Sequence, residues 1–206
     1  MYKHHTGYYE KYIKRLLDII IALLVFMVMI IPLVIIAILI KLDSPGPVFF
    51  NQERVGKDGK LFTLFKFRTM VVNAINMGAG VLVEKEDPRV TKVGKWLRDL
   101  SLDELPQLIN VLIGDISTVG PRPTLKYQVD KYSDFQRQRL LVKPGITGLA
   151  QIKGRKSIDW DKRIEFDVQY VNNMSLFFDF YILLKTIPVV LFRKDNLAKS
   201  DFWKDK

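Results

Sequence analysis

From Ile19 to Ile40 the chain runs for 22 residues without a charged side chain, between Asp18 and Lys41. No other feature limits the possible folds so strongly. As a helix rising about 1.5 Å per residue, the run would reach roughly 33 Å, enough to cross the hydrocarbon core of a bilayer. A chain of 206 residues builds only a modest soluble core, a poor place to bury so long an apolar helix on every side. A membrane must therefore be considered before any chemistry.

The flanks bear on how the run meets that membrane. Lys3, Lys11, Lys14 and Arg15 precede it, and Lys41, Arg54, Lys57, Lys60, Lys66 and Arg68 follow it. A basic lead-in also opens signal peptides, but this run is longer than a usual apolar signal core, and no A-x-A-like cleavage site follows before "KLDSPGP". Positive residues mark the cytoplasmic side, and here they lie at both ends. Pro32, in "MIIPLVI", removes a backbone hydrogen bond and presses on the carbonyl one turn back. Together these favour a re-entrant helix that breaks at Pro32 and returns to the side it entered from, over a kinked span. The expected organisation is a membrane-associated helix over 1–41, a cytosolic domain with membrane-surface helices over 42–192, and a polar tail over 193–206. The chain has no cysteine, which excludes a disulfide scaffold and fits a reducing compartment.

Past the run, "LDSPGPVFF" carries two prolines that bar helix. The stretch "VFFNQERVGKDGKLFTLFKFRTM" places two β-prone arms around Asp58-Gly59, a hairpin signal. Val71 to Asp87, with Gly78 and Gly80, reads as a loop. Helices are expected from about Val90, over the stripe of Leu105, Leu108, Ile109 and Leu112, from about Tyr127 to Leu140, and over a segment with Trp160, Ile164, Val168 and Val171 inward. "GPRP", Gly120 to Pro123, reads as a rigid corner, and "KPGITG", Lys143 to Gly148, as a glycine-bearing turn. Asp179 and Lys185 leave "SLFFDFYILLKTIPVVLF" too interrupted to span; a helix on the membrane surface and an ordinary core helix both fit it. The fold class is thus α+β, mainly α: a compact helical domain with one β-hairpin, a re-entrant membrane helix and interfacial amphipathic helices.

Within a formal net charge of +10, the stretch "SLDELPQLINVLIGD" sets two acids side by side, Asp103 and Glu104. Ser101 and Glu104 match a capping box, and Asp103 could itself cap a helix with Pro106 in its first turn. Chemistry is the alternative. Lys66, Arg68, Arg98, Arg122 and Arg155 each sit beside turn-forming or rigid sequence, and the arginine fork suits phosphate oxygens. There is no Walker-type phosphate loop and no G-x-G-x-x-G fingerprint. The two histidines, His4 and His5, precede the apolar run, so neither a Ser-His-Asp triad nor a zinc site is indicated. Acid–base or covalent work falls to carboxylates, lysine or tyrosine.

Taken in order, "KLDSPGPVFFNQERVG", "LFKFRTM", "DPRVTKVGKWLRDLSLDELPQLINVLIGDISTVGPRP" and "KPGITGLAQIKGR" resemble the bacterial sugar transferase family, the monotopic phosphoglycosyl transferases, over about Tyr12 to Phe192. The resemblance implies transfer of a phosphosugar from a UDP-sugar to polyprenol phosphate, with release of UMP. That reaction is the first membrane step of bacterial glycan assembly, on the cytoplasmic face of the inner membrane and in contact with inner-leaflet lipid. It gives Asp103 the role of nucleophile, forming a covalent aspartyl-phosphosugar intermediate, and makes Glu104 its partner in proton transfer. It brings Mg²⁺ as cofactor, with Asp103 as candidate ligand. Lys66, Arg98 and Arg122 would line the phosphate pocket, with Arg68, Gln151 and Arg155 as further substrate contacts. Members of the family break the membrane helix at a Ser-Pro pair, where this chain has Ile31-Pro32. Larger members carry extra N-terminal membrane helices, so the chain reads as the minimal catalytic form.

Two rival functions share parts of this pattern. A membrane glycosyltransferase would move only the sugar and release UDP. A basic membrane-surface scaffold, or a lipid-tethered nucleic-acid binder, would account for the positive charge. It leaves unexplained why acids, a proline-flanked arginine and glycine turns occur together, and nucleic acid is not an expected partner.

Overall fold

In the computed structural model, which describes residues 7–77, 87–154 and 158–191, the apolar run is a single helix. Helix α1 (Arg15–Asp43) continues from a π-type turn, Tyr9–Lys14, so that Tyr9–Asp43 forms one 35-residue element. Only 11% of its most apolar stretch is buried. The core helix of a soluble protein would be mostly covered. Pro32 lies inside α1, and the backbone stays helical through it, so the expected break is not an interruption of the helix. The lost hydrogen bond is local, and a proline bends a helix more readily than it ends one.

Both ends of α1 join the same folded unit. Near its start, Arg15 donates to the carbonyls of Val111 and Leu112. One oxygen of Asp18 accepts from Ser117 Oγ at 3.0 Å, the Thr118 amide at 2.9 Å and Thr118 Oγ1 at 2.6 Å. Ala22 then packs into a core with Leu64, Leu108, Val111 and Ile116. Near its end, Ile36 and Ile40 pack with Phe67 and Leu97, and Asp43 accepts from the Val93 amide. Between the two anchor points, Met27, Val28, Ile30 and Ile31 are exposed. Lys14, counted above as a topology signal, is buried and paired with Asp179 at 2.5 Å, with the hydroxyls of Tyr9 and Tyr170 on the same carboxylate. Its charge is neutralised inside the protein and contributes nothing to lipid headgroups.

The hairpin forms as its sequence suggests. Strands β1 (Phe49–Val55) and β2 (Leu61–Phe67) pair antiparallel, from Phe49 opposite Phe67 to Val55 opposite Leu61. Asp58 and Gly59 take the left-handed conformations that Asp-Gly tolerates. Helix α2 (Lys92–Asp99) starts at Thr91, whose hydroxyl accepts from the Gly94 amide. A Cβ on Gly94 would come within 2.1 Å of the Thr69 carbonyl, so glycine is what lets α2 lie against the strand exit. Helix α3 (Gln107–Ile113) ends at Gly114 in a left-handed conformation.

The rest shows one pairing that the sequence reading lacked. Strands β3 (Ser117–Val119) and β4 (Gly145–Thr147) run parallel, joining the "GPRP" and "KPGITG" segments. The single helix expected from Tyr127 to Leu140 is instead α4 (Lys126–Val129), α5 (Asp134–Arg137) and a 3₁₀ turn, Gln138–Leu141. Ser133 is extended and caps α5 in a box with Gln136, which restarts the helix. Helices α6 (Leu149–Lys153), α7 (Trp160–Asn173) and α8 (Leu176–Leu191) complete the fold, with Ile164, Val168 and Val171 of α7 buried as expected. In α8, Ile182 and Asp179 face inward while Phe177, Phe180, Leu184 and Ile187 leave an open apolar stripe. The class is α+β, mainly α. The tail 193–206 and residues 78–86 of the expected loop lie outside the described residues.

Candidate active site

Between α2 and α3 the chain makes a short 3₁₀ turn, Leu102–Glu104. Ser101 enters it in the left-handed conformation with no side-chain cap, and Pro106 stands at the start of α3. The capping-box reading is therefore corrected: a left-handed residue cannot aim its hydroxyl at the following amides, and the Glu104 side chain is engaged elsewhere. With three residues per turn, adjacent side chains on this segment diverge by about 120°. Asp103 and Glu104 accordingly meet different neighbours.

Glu104 is held by two cations from distant parts of the chain. Lys66 Nζ, from β2, lies 3.0 Å from Oε1. Arg122, from the "GPRP" corner, donates through Nη1 to Oε2 at 3.2 Å and through Nη2 to Oε1. Burial alone would raise the Glu104 pKa, but Arg122 and Lys66 outweigh it and hold the group below the usual carboxylate range. Asp103 shifts the other way. Burial and then the charge of Glu104 push it up, against the pull of Lys66, Arg122 and Arg98. Among the described residues, the Asp103 side chain makes no hydrogen bond or ion pair. Arg98 reaches the region from α2, its Nε donating to Thr69 Oγ1 at 2.9 Å.

Glycines set the position of Arg122. A Cβ on Gly145 would fall 2.1 Å from the Gly120 amide nitrogen, and one on Gly148 would fall 2.2 Å from the Gly120 carbonyl oxygen. The corner can therefore lie directly on the β4 segment, where Gly120 donates to Thr147 O at 2.8 Å and Gly145 to Pro121 O at 2.9 Å. Behind the corner, Arg139 donates to the Arg122 carbonyl at 2.8 Å and pairs with Asp167 at 2.6 Å, both side chains almost fully buried. Two sequence motifs that read as separate turns are thus one device that fixes a single arginine.

Of the residues singled out from sequence, Lys66, Arg98, Asp103, Glu104 and Arg122 converge here. Arg68 does not. It is buried at the end of α1, donating to Pro45 O at 2.6 Å and Ser44 O at 2.7 Å, where it satisfies carbonyls that a helix end leaves open. Gln151 lies beside Gly148, and both polar atoms of its amide are buried without a hydrogen-bond partner. Arg155 falls outside the described residues. Two further arginines extend the positive field at Arg122 and were missed: Arg54 on β1 and Arg163 on α7. For Arg54 a signal existed, because it lies four residues from Phe50, the cross-strand partner of Lys66, and so leaves the same hairpin face.

Among the described residues no group of three or more His, Cys, Asp or Glu side chains could cage a metal. Mg²⁺ commonly uses only one or two protein carboxylates, with waters and substrate phosphates completing its shell. The uncommitted carboxylate of Asp103 fits that mode, whereas Glu104 is occupied by cations.

Residues 9–193 match the sequence model of the family described as Bacterial sugar transferase. An uncharacterized sugar transferase, EpsL, of Bacillus subtilis is 45% identical over 179 residues, covering 87% of each chain. The undecaprenyl-phosphate galactose phosphotransferase of Salmonella typhimurium is 41% identical over 201 residues, 91% of this chain and 42% of that protein. The UDP-glucose:undecaprenyl-phosphate glucose-1-phosphate transferase of Escherichia coli is 45% identical over 186 residues, 86% of this chain and 40% of that protein. The chain thus spans about two fifths of these longer relatives and most of the shorter one.

Proposed function

The chain belongs to the bacterial sugar transferase family, and on that footing we propose that it transfers a phosphosugar from a UDP-sugar to polyprenol phosphate. The observation that carries the reading is the asymmetry of the acid pair: Glu104 neutralises Lys66 and Arg122, while Asp103 stands beside them with no partner of its own. A carboxylate flanked by cations, yet not tied to any, is poised to attack phosphorus once a diphosphate occupies those cations.

In the first half-reaction an Asp103 oxygen bonds to the phosphorus that carries the sugar. The bond from that phosphorus to the UMP oxygen breaks, and UMP leaves with the electron pair. In the second half-reaction an oxygen of polyprenol phosphate bonds to the same phosphorus. The bond to Asp103 breaks, which restores the carboxylate and yields polyprenol-diphosphate-sugar. Lys66, Arg98 and Arg122 balance the charge of the diphosphate, and Glu104, released as the phosphates draw Lys66 and Arg122 off it, takes the proton of the incoming phosphate. Asp103 would also hold Mg²⁺, which when bound supplies further neutralisation of the phosphate oxygens.

This reading places the site at a membrane surface. The two ends of α1 dock on one domain and its middle is apolar and exposed, which supports a helix that enters and leaves the inner leaflet on the cytoplasmic face. The open stripe of α8 supports a second, shallow contact. The test is product analysis with a panel of UDP-sugars and polyprenol phosphate. UMP is the expected product, lost in Asp103→Asn while folding and membrane binding persist. Release of UDP, or unchanged turnover in that variant, would sink the proposal.

A further inference from the structure

The hairpin carries one arginine, Arg54, whose hydrogen bonding is incomplete. Paired residues share a face of the ladder, so Lys66 opposite Phe50 and Arg54 opposite Phe62 project from the same side, about four residues or roughly 13 Å apart along the strand. The Glu104–Arg122 contact lies between them. Lys66 meets Glu104, Glu104 meets Arg122, and Arg54 Nη1 lies 3.4 Å from the carbonyl of Pro123, the next residue of the corner. Val55, beside Arg54, donates to Thr124 O at 3.0 Å and keeps strand and corner in register.

A guanidinium has five N–H donors. Arg54 uses one well, Nη2 to Gln52 Oε1 at 2.6 Å, and one at the outer limit, to Pro123. Its Nε is shielded from water and has no acceptor. Among the described residues no carboxylate pairs with it, although it faces Arg122. Burial, and then the Arg122 charge, lower its pKa to about 10, which leaves it cationic at neutral pH. Arg122 is hydrogen-bonded to Glu104, whereas Arg54, held at the carbonyl of the next residue, feels the Glu104 charge but bonds no anion among the described residues. The Arg122 side chain is half exposed, so the approach from solvent is open.

We propose that Arg54 and Arg122 form a second phosphate subsite, on the Pro123 side of the corner, that shares Arg122 with the one at Asp103. A phosphate monoester matches the fork of Arg54 bidentately and relieves the repulsion between the two arginines. The inference rests on the reaction proposed above, which handles two phosphates besides the one transferred: that of departing UMP and that of polyprenol phosphate. Both offer the same chemistry to Arg54.

Steady-state and exchange kinetics of Arg54→Gln and Arg54→Lys, in the full chain, test the subsite and identify its occupant. Isotope exchange of UMP into UDP-sugar without acceptor isolates the first half-reaction. If the subsite holds the nucleotide phosphate, the half-saturating UMP concentration in exchange rises about tenfold or more. If it holds the acceptor, exchange is unchanged and the KM for polyprenol phosphate rises by that factor. Arg54→Lys keeps a charge without the fork, and is expected to restore less than half of the lost affinity. Arg54→Lys that folds as the wild type does, with both constants within twofold of wild type, overturns the subsite. So does an equal fall in kcat with neither constant moved. Failure of the underlying reaction is distinguishable, because wild-type protein would then release no UMP at all.

Discussion

Asp18 offers a sharp test of whether α1 belongs to the catalytic fold or merely anchors it. One oxygen of this buried carboxylate receives three hydrogen bonds from Ser117 and Thr118 on β3, the strand that leads into the Arg122 corner. Bonds to a charged acceptor contribute about 1.5–3 kcal/mol each, and they are not additive. Removing the acceptor leaves buried donors without partners, so Asp18→Ala should cost about 3–5 kcal/mol. At roughly 2–4 °C per kcal/mol for a chain of this size, the melting temperature should fall by about 6–20 °C. Asp18→Asn keeps the accepting oxygen and should lose only about 1 kcal/mol. Thermal unfolding in detergent or nanodiscs, followed by tryptophan fluorescence, measures both. Ile31→Ala, at an exposed position in the middle of α1, serves as the control that should barely move. If Asp18→Ala melted with the wild type, β3 would not depend on α1 and the reasoning would fail.

Other positions test separate parts of the structure. Arg68→Ala should lower stability by about 3 kcal/mol, because the carbonyls of Ser44 and Pro45 lose their donor; in the molecules that fold, KM for UDP-sugar should stay unchanged, which a phosphate-binding role would not allow. Gly145→Ala places a methyl group 2.1 Å from the Gly120 nitrogen, so it should abolish transfer through displacement of Arg122, with far less effect on membrane binding measured by flotation. Leu16→Cys and Leu42→Cys, both exposed at the two ends of α1 in a chain without native cysteine, should react with a membrane-impermeant maleimide from the same side. Labelling from opposite sides would mean a span.

Local signals survived best in the fold. Asp58-Gly59 announced the hairpin because two left-handed residues in a row are a demand that few dipeptides meet, and the uncharged run announced its helix through length alone. The parallel pairing of β3 with β4 was invisible: each strand is three residues long, and nothing in either segment encodes a partner 28 residues away. The same limit explains the site. Asp103 and Glu104 could be singled out by position, but that Lys66 and Arg122 would converge on Glu104, leaving Asp103 free, depends on tertiary geometry. Arg68 was misread for the opposite reason. Its place beside "KF" and "TM" resembles that of Lys66, and a spacing of two would put both on one strand face, yet β2 ends at Phe67 and beyond it the Arg68 side chain reaches the end of α1.

Trapping the enzyme in mid-reaction bears most directly on the role of Asp103. Wild-type protein is mixed with the UDP-sugar it turns over, without acceptor, quenched rapidly, digested and examined by peptide mass spectrometry. A phosphosugar mass on the peptide containing Asp103, formed together with an equal amount of UMP and absent from Asp103→Asn, is the expected result. An unmodified Asp103 in enzyme that goes on to full turnover when polyprenol phosphate is added would contradict it.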